Sequence, residues 1–260
     1  MTFREDALAG QHIIISGGCG AIGLGVVKKL TDHGAKMTVN DIIEPDEAQK
    51  RLRNAGVKVD RVNYVRGDLT RSADVDTLIK IARNASGPIH TALCHTGMVI
   101  SGPLLDFAES DWDNLMNLNL KSAFLLGKAA ARAMRDDKVA GHLIFTSSWV
   151  AETPWPEIGP YNTSKAAMSQ LMRSFARDLA DKDIRANAIA PGIVSVGMAK
   201  RQWDTDPSYR ARAQKAIPLG HMQPLESVAN GFLFLCSSAA DYMTGSVLVM
   251  DGGCSLYPMD

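Results

Sequence analysis

Tyr161 and Lys165 stand four residues apart, so in a helical segment they share one face, a turn from each other. A phenol beside an ammonium is a way to make a weak acid usable near neutral pH. The positive charge favours phenolate and draws the tyrosine down from its ordinary pKa of about 10. Ser148 lies thirteen residues upstream of Tyr161, at the end of the apolar run His142-Leu143-Ile144-Phe145-Thr146. A hydroxyl there can donate a hydrogen bond to a carbonyl oxygen while the phenol transfers a proton. Tyr-x-x-x-Lys also occurs by chance on solvated helix faces. The serine upstream and the glycine-rich stretch Ser16-Gly17-Gly18-Cys19-Gly20-Ala21-Ile22-Gly23 give the pair its chemical meaning.

That stretch follows the apolar run His12–Ser16 and precedes Val26, Val27 and Leu30 at helical spacing. Gly17 permits a tight turn. Without side chains, backbone N–H groups there can approach a pyrophosphate at a helix N-terminus. Asp41 follows Thr38-Val39-Asn40 at the end of a second run. Its carboxylate can accept from both hydroxyls of an adenosine ribose and would repel a 2′-phosphate. No Arg or Lys lies in the glycine stretch or just after Asp41 to neutralise such a phosphate, which favours NAD over NADP. The plainer alternatives are a simple strand-to-helix turn and an Asp that caps the next helix.

These residues need rigid elements to hold them. Strand-length apolar runs occur at His12–Ser16, Met37–Asn40, Val59–Val65, Ile89–Cys94, Leu143–Ser147, Ala186–Ala190 and Val247–Met250. Helix-period segments alternate with them, among them Leu78, Ile79 and Ala82, and Met168, Leu171, Met172 and Phe175. Such alternation implies right-handed βαβ units and a parallel sheet covered on both faces. The expected fold is therefore α/β: one doubly wound domain over residues 1–260, a Rossmann fold of about seven strands. Ligands of such sheets bind at the carboxyl ends of the strands.

Composition excludes several other classes. The 260 residues carry 28 Lys+Arg against 28 Asp+Glu, which argues against a nucleic-acid or anionic-membrane surface. No apolar run is long enough to span a bilayer, and Met1-Thr2-Phe3-Arg4 opens no signal region. Cys19, Cys94, Cys236 and Cys254 have neither metal-ligand nor redox spacing. They read as small buried residues in a reduced cytoplasm, with no metal expected.

The motifs Ser16–Gly23, Asp41, Asp68, Asn119, Ser148, Tyr161, Lys165, Pro191-Gly192 and Asp251-Gly252-Gly253 make nearly the whole chain resemble the short-chain dehydrogenase/reductase family. The resemblance implies an NAD-dependent enzyme that interconverts a secondary alcohol and a ketone, with Asn119, Ser148, Tyr161 and Lys165 as its catalytic set. Tyr161 would be the acid/base, and Lys165 would bind the nicotinamide ribose. Asn119 would hold, through its backbone carbonyl, a water linking the lysine to solvent; Asn117 is the rival by spacing. The dinucleotide would be held by Gly17, Cys19, Ala21, Ile22, Gly23, Asp41, Asp68, Leu69, Gly97, Tyr161, Lys165, Pro191, Gly192, Val194 and Ser195.

The chain departs from the family pattern in three places. Ala21 replaces the middle glycine of the turn. Cys94-His95-Thr96-Gly97 replaces Asn-Asn-Ala-Gly, so His95 either ties strand ends together in place of an amide or faces the substrate. Val196 stands where a threonine would hold the nicotinamide amide, leaving that task to Ser195 or the Val194 backbone.

Residues 197–222 turn polar and irregular, matching the position of a mobile substrate lid. The alternative is a surface helix pair with solvated charges. Lys200, Arg201, Arg210 and Arg212 lie there. His95, Ser148, Trp149, Trp155 and Tyr161 would border the substrate. Hydrogen-bonding groups with a few flat aromatic walls suit a small polar hydroxy compound: a sugar, polyol or sugar acid. A 3-oxoacyl thioester reductase and a non-catalytic dinucleotide sensor are the rival readings. The helices around Ala123–Met134 and Met168–Leu179 carry more apolar and small residues than one buried face requires, and relatives usually pair such helices across two-fold axes, which implies a homotetramer, with a dimer as the next choice.

Overall fold

The central strands form because they are buried on both sides. Strand β1, His12–Ser16, is buried along its whole length, and so is β5, Gly141–Thr146. A strand with no solvent face needs cover above and below, which a parallel sheet with crossover helices supplies. The other strands are β2 (Lys36–Asp41), β3 (Val62–Arg66), β4 (Thr91–Cys94), β6 (Ile184–Pro191) and β7 (Val247–Met250). The computed structural model describes residues 3–256 and arranges these strands as one seven-stranded sheet in the order β3-β2-β1-β4-β5-β6-β7. Every pairing is parallel. The direction of winding reverses between β1 and β4, where ligands of open α/β sheets bind.

Helices α1 (Ala21–Asp32), α2 (Pro45–Asn54) and α9 (Leu225–Cys236) cover one face, burying Val26, Val27, Leu30, Leu52 and Phe232. Helices α3 (Ser72–Ser86), α5 (Ser122–Asp136) and α6 (Gly159–Leu179) cover the other, burying Leu78, Leu126, Met168 and Met172 around Phe145. The short α4 (Glu109–Met116) runs into α5 through one π-helical segment, Asn117–Lys121. The remaining helices are α7 (Gly197–Thr205) and α8 (Pro207–Ala216).

Two expectations need correction. Val59 does not begin β3, because Val59–Arg61 forms a 3₁₀ turn closed by the Arg61 N–H on the Lys58 carbonyl. The polar Asp60 and Arg61 suit a turn better than a buried strand. Residues 197–222 are not irregular: they hold α7 and α8. Asp206 caps α8 by accepting from the Ser208 and Tyr209 N–H groups, and Pro207 occupies the first helical position. Cys19, Cys94 and Cys254 are buried as expected, and Cys236 is half-buried. Among the described residues no helix is long and apolar enough to cross a membrane. Met1 and Thr2, which open the segment read for a signal region, and the last four positions of the 1–260 domain lie outside the described residues.

Candidate active site

A cleft of ≈ 580 Å³ opens at the carboxyl ends of β1, β2, β4, β5 and β6. Its first wall is the turn between β1 and α1. Gly17 adopts φ +65°, and a Cβ on Gly23 would lie 2.5 Å from the Gly17 carbonyl oxygen. The turn and the first turn of α1 therefore pack more closely than any side chain would permit. Ala21 and Ile22 border the cleft beside Gly17.

Asp41 sits at the end of β2 with its carboxylate already oriented. Oδ2 accepts from the Cys19 N–H at 3.1 Å and Oδ1 from the Ile42 N–H at 2.8 Å. Tyr64 braces the same loop, donating from its hydroxyl to the Ile43 carbonyl at 2.5 Å. Asp68 and Leu69 border the cleft beyond it, and one Asp68 oxygen accepts from both the N–H and the hydroxyl of Thr70. A glycine cradle leading to an acceptor at the next strand end fits a dinucleotide.

The reactive end lies between β5 and α6. Ser147 clamps the two together, donating to the Lys165 carbonyl at 3.0 Å and pairing with the Ser169 hydroxyl at 2.8 Å. That clamp sets Tyr161 and Lys165, one turn apart on α6, beside Ser148 at the end of β5. The Lys165 ammonium donates to the Thr146 carbonyl at 2.7 Å and stands 5.5 Å from the centroid of the Tyr161 ring.

The electrostatics differ from the sequence expectation. Burial pushes the Tyr161 phenol up to about 12, opposed by its contact with Ser148, and burial brings Lys165 down to about 8. Desolvation thus dominates both groups, and among the described residues the Lys165 ammonium donates to the Thr146 carbonyl and not to the phenol.

Asn119 is fully buried within the π-helical segment. Its side chain accepts from the Met98 N–H at 2.8 Å and donates to the Met98 carbonyl at 2.9 Å and the Ser164 hydroxyl at 3.1 Å. It thereby ties the loop after β4 to α6. Gly97 lies between them, and a Cβ there would come within 3.4 Å of Lys165 Nζ and 3.5 Å of Asn119 Oδ1.

His95 does what its strand-tying reading requires. Its Nδ1 lies 3.0 Å from the Thr146 hydroxyl, linking the ends of β4 and β5, and its ring packs edge-on against Phe232. Burial lowers its pKa to about 4, so it is neutral at physiological pH. It still borders the cleft. Trp149 and Trp155 line the far part and are largely buried against Tyr209 of α8.

Gly17, Ala21, Ile22, Asp41, Asp68, Leu69, His95, Gly97, Ser148, Trp149, Trp155, Tyr161, Lys165, Gly192 and Val194 thus border one cleft. Cys19, Gly23, Asn119, Pro191 and Ser195 lie behind it. The Cys19 N–H is taken by Asp41 and its side chain by the core, and Pro191 is buried as the last residue of β6. The Ser195 N–H is spent on the Gln223 carbonyl, which leaves Val194 as the residue facing the cleft.

Sequence reasoning missed Thr96, Met98, Glu157 and Gln202, which also line it. Thr96 stands between two residues singled out by motif, and that adjacency was its available signal. Glu157 had none: it reaches the cleft from a loop turned by a left-handed backbone, φ +63°.

Comparisons with known proteins bear on the family and the fold. A family model described as enoyl-(acyl carrier protein) reductase matches residues 18–255. The chain is 28% identical to 3beta-hydroxysteroid dehydrogenase 1 of Eggerthella lenta, over 97% of each chain. It is also 28% identical to dehydrogenase/reductase SDR family member 4 of Oryctolagus cuniculus, over 96% of this chain and 95% of that one. Among solved structures, a gluconate 5-dehydrogenase from Burkholderia cenocepacia in complex with NADP and tartrate superposes with a TM-score of 0.88 at 28% identity. That match covers 97% of this chain and 98% of the other. A short-chain type dehydrogenase/reductase from Mycobacterium marinum gives 0.85 at 29% identity, covering 96% and 97%.

Proposed function

This chain belongs to the short-chain dehydrogenase/reductase family, and from that footing we propose that it is an NAD(H)-dependent oxidoreductase interconverting a secondary alcohol and a ketone. The observation that carries the reading is the convergence of the glycine turn, Asp41, Ser148, Tyr161 and Lys165 on one cleft. When bound, the nicotinamide supplies the hydride acceptor or donor. The protein does the rest. Gly17, Ala21 and Ile22 leave room for the pyrophosphate, and Asp41 accepts from the adenosine ribose. Ser148 donates to the substrate oxygen, and Tyr161 gives or takes its proton. Lys165 keeps a positive charge near that exchange and donates to the nicotinamide ribose, while Asn119 secures the loop behind it.

The preference for NAD rests on Asp41, whose negative charge would repel a 2′-phosphate. A related structure holds NADP, so the fold alone does not set this choice. The α7–α8 pair would act as the substrate lid. The substrate would be a small hydroxy compound such as a sugar, polyol or sugar acid, as Ser101, Gln202 and Arg212 put polar groups among the flat walls of Trp149 and Trp155. Val99, Val150, Ile158 and Ile193 border the same space, so the compound also presents a carbon face. The similar gluconate 5-dehydrogenase, bound to tartrate, supports a polyhydroxy acid. A homotetramer is proposed from the exposed Phe124 on α5, which carries Lys128 5.0 Å above its ring beside Leu171 of α6. Light scattering near the mass of one 28.0 kDa chain would reject it.

The deciding experiment follows NAD and NADP reduction across polyols, aldoses, sugar acids, simple secondary alcohols and steroids. Tyr161→Phe should abolish turnover while NADH still titrates the protein fluorescence. Asp41→Ala should weaken NADH binding and narrow its gap to NADPH. Wild-type rates in Tyr161→Phe, or equal affinity of the unmutated protein for NADPH, would overturn the corresponding assignment.

A further inference from the structure

The basic side chains of α7 and α8 are not equivalent. Lys200 is held one turn along by Asp204, at 2.5 Å. Arg210 donates from Nε to the Trp203 carbonyl at 2.7 Å. Arg201 is exposed and does not border the cleft. Arg212 alone of the four lines the space shared by Ser148 and Tyr161.

Its guanidinium is held by an aromatic stack. The central carbon stands 5.2 Å from the centroid of Trp155, which packs edge-on against Trp149 at 5.5 Å and Tyr209 at 6.0 Å. A guanidinium seated on an indole face is fixed in plane as well as in position. Its Nε is buried and has no hydrogen-bond partner among the described residues. A buried donor left unpaired costs free energy, and its retention calls for a reason. The facing anion is Glu157, whose Oε2 lies 3.9 Å from Nη2, beyond hydrogen-bond reach. The Glu157 side chain is 62% exposed, so solvent screens that pair to little value. Arg212 therefore presents a positioned, incompletely satisfied fork on the wall of a catalytic cleft. A planar fork of N–H donors matches the two oxygens of a carboxylate.

We propose that Arg212 is the specificity-determining residue for a carboxylate on the substrate, so that the alcohol brought to Tyr161 belongs to a hydroxy acid. This deepens, and rests on, the reading of the cleft as an alcohol–ketone oxidoreductase site. Glu157 opposes the same carboxylate and moderates its binding.

The test uses hydroxy acids of increasing chain length, each paired with its neutral amide. The readout is the ratio of kcat/KM for acid over amide at the best chain length. A charge-assisted bidentate contact makes that ratio about tenfold or more in the wild type. Arg212→Met keeps an unbranched stem against Trp155 and should bring the ratio to near one. Arg212→Lys keeps the charge without the fork and should fall between. Glu157→Gln should raise the ratio, and Arg201→Gln should leave it unchanged. An NADH titration establishes that each variant is folded.

A second measurement does not depend on turnover. The same acids and amides are titrated into NAD-loaded Tyr161→Phe protein while tryptophan fluorescence is followed, since Trp155 touches Arg212. A saturable response to an acid, absent for its amide and abolished by adding Arg212→Met, supports the proposal. Equal responses to acid and amide, or no response to any acid, overturn it whatever the kinetics give. Acid binding without turnover of any secondary alcohol by the wild type would instead overturn the oxidoreductase reading and leave the carboxylate site standing.

Discussion

Tyr161 and Lys165 share a burial that acts on them in opposite directions. Both are driven toward their neutral forms, the phenol up to about 12 and the amine down to about 8. A ketone reduction needs phenol and ammonium together. Phenol persists below about 12, whereas the ammonium is lost as pH rises through about 8. Reduction measured with saturating NADH should therefore be flat from about pH 6 to 7.5 and fall above about 8, tenfold per pH unit at the limit. A reduction rate that keeps climbing above pH 8 would show that Lys165 is not the group that titrates. The sequence revealed which two residues form the pair, because four-residue spacing on a helix is local information. It did not reveal the dominant field, because desolvation depends on everything packed above α6.

At the scale of elements, the π-helical segment between α4 and α5 matters most. One wide turn places Asn119 where its amide satisfies both backbone groups of Met98 and reaches Ser164 on α6. Such turns mark functional positions more often than regular helix does. Asn119→Ala would remove the partner of both the Met98 N–H and its carbonyl in a half-buried loop that borders the cleft, costing about 1–2 kcal/mol. The expected result is a lower urea midpoint together with a reduced kcat, since Gly97 and Lys165 meet at the same spot. A variant with an unchanged midpoint would mean that the loop after β4 is held by something else. The asparagine was legible from its motif; the π turn was not, because an extra residue in a turn leaves no mark on apolar periodicity. Likewise the strand runs located the sheet, but Val59 read as strand because a lone β-branched residue looks alike in a 3₁₀ turn. Arg212 could not be told from Arg201 or Arg210 until α7 and α8 fixed which way each faces.

For the whole molecule, the buried His12 and His142 and the half-buried His90 and His95 bear on acid stability. His12, His90, His95 and His142 all have pKa values lowered by burial, His95 to about 4 and His142 to about 3. An unfolded histidine titrates near 6.5, so below that pH the unfolded chain binds protons that the native one refuses. Their contribution to stability is complete above about 6.5 and is lost as pH falls toward the folded values. The thermal midpoint should drop by roughly 10 °C between pH 7.5 and pH 5, given several kcal/mol spread over a chain of this size. Differential scanning calorimetry across that range checks it, and a flat midpoint would contradict the burial of these rings.

The turn after β6 has a consequence for synthesis of the chain. Gly192 packs so tightly on the C-terminal segment that a Cβ would lie 2.7 Å from Asp251 Cα, and its N–H donates to the Met250 carbonyl. Ile193 and Val194, which border the cleft, are thus propped by residues made almost sixty positions later. A nascent polypeptide can assemble β1 to β5 while still tethered to the ribosome, yet the wall beside Val194 stays unsupported until Asp251 has cleared the exit tunnel. Dinucleotide capture should therefore arise late in translation. Ribosome-stalled chains extended past Asp260 by linkers that hold Asp251 either inside or outside the exit tunnel, probed with fluorescent NADH, would differ in binding if this order holds and match if it does not.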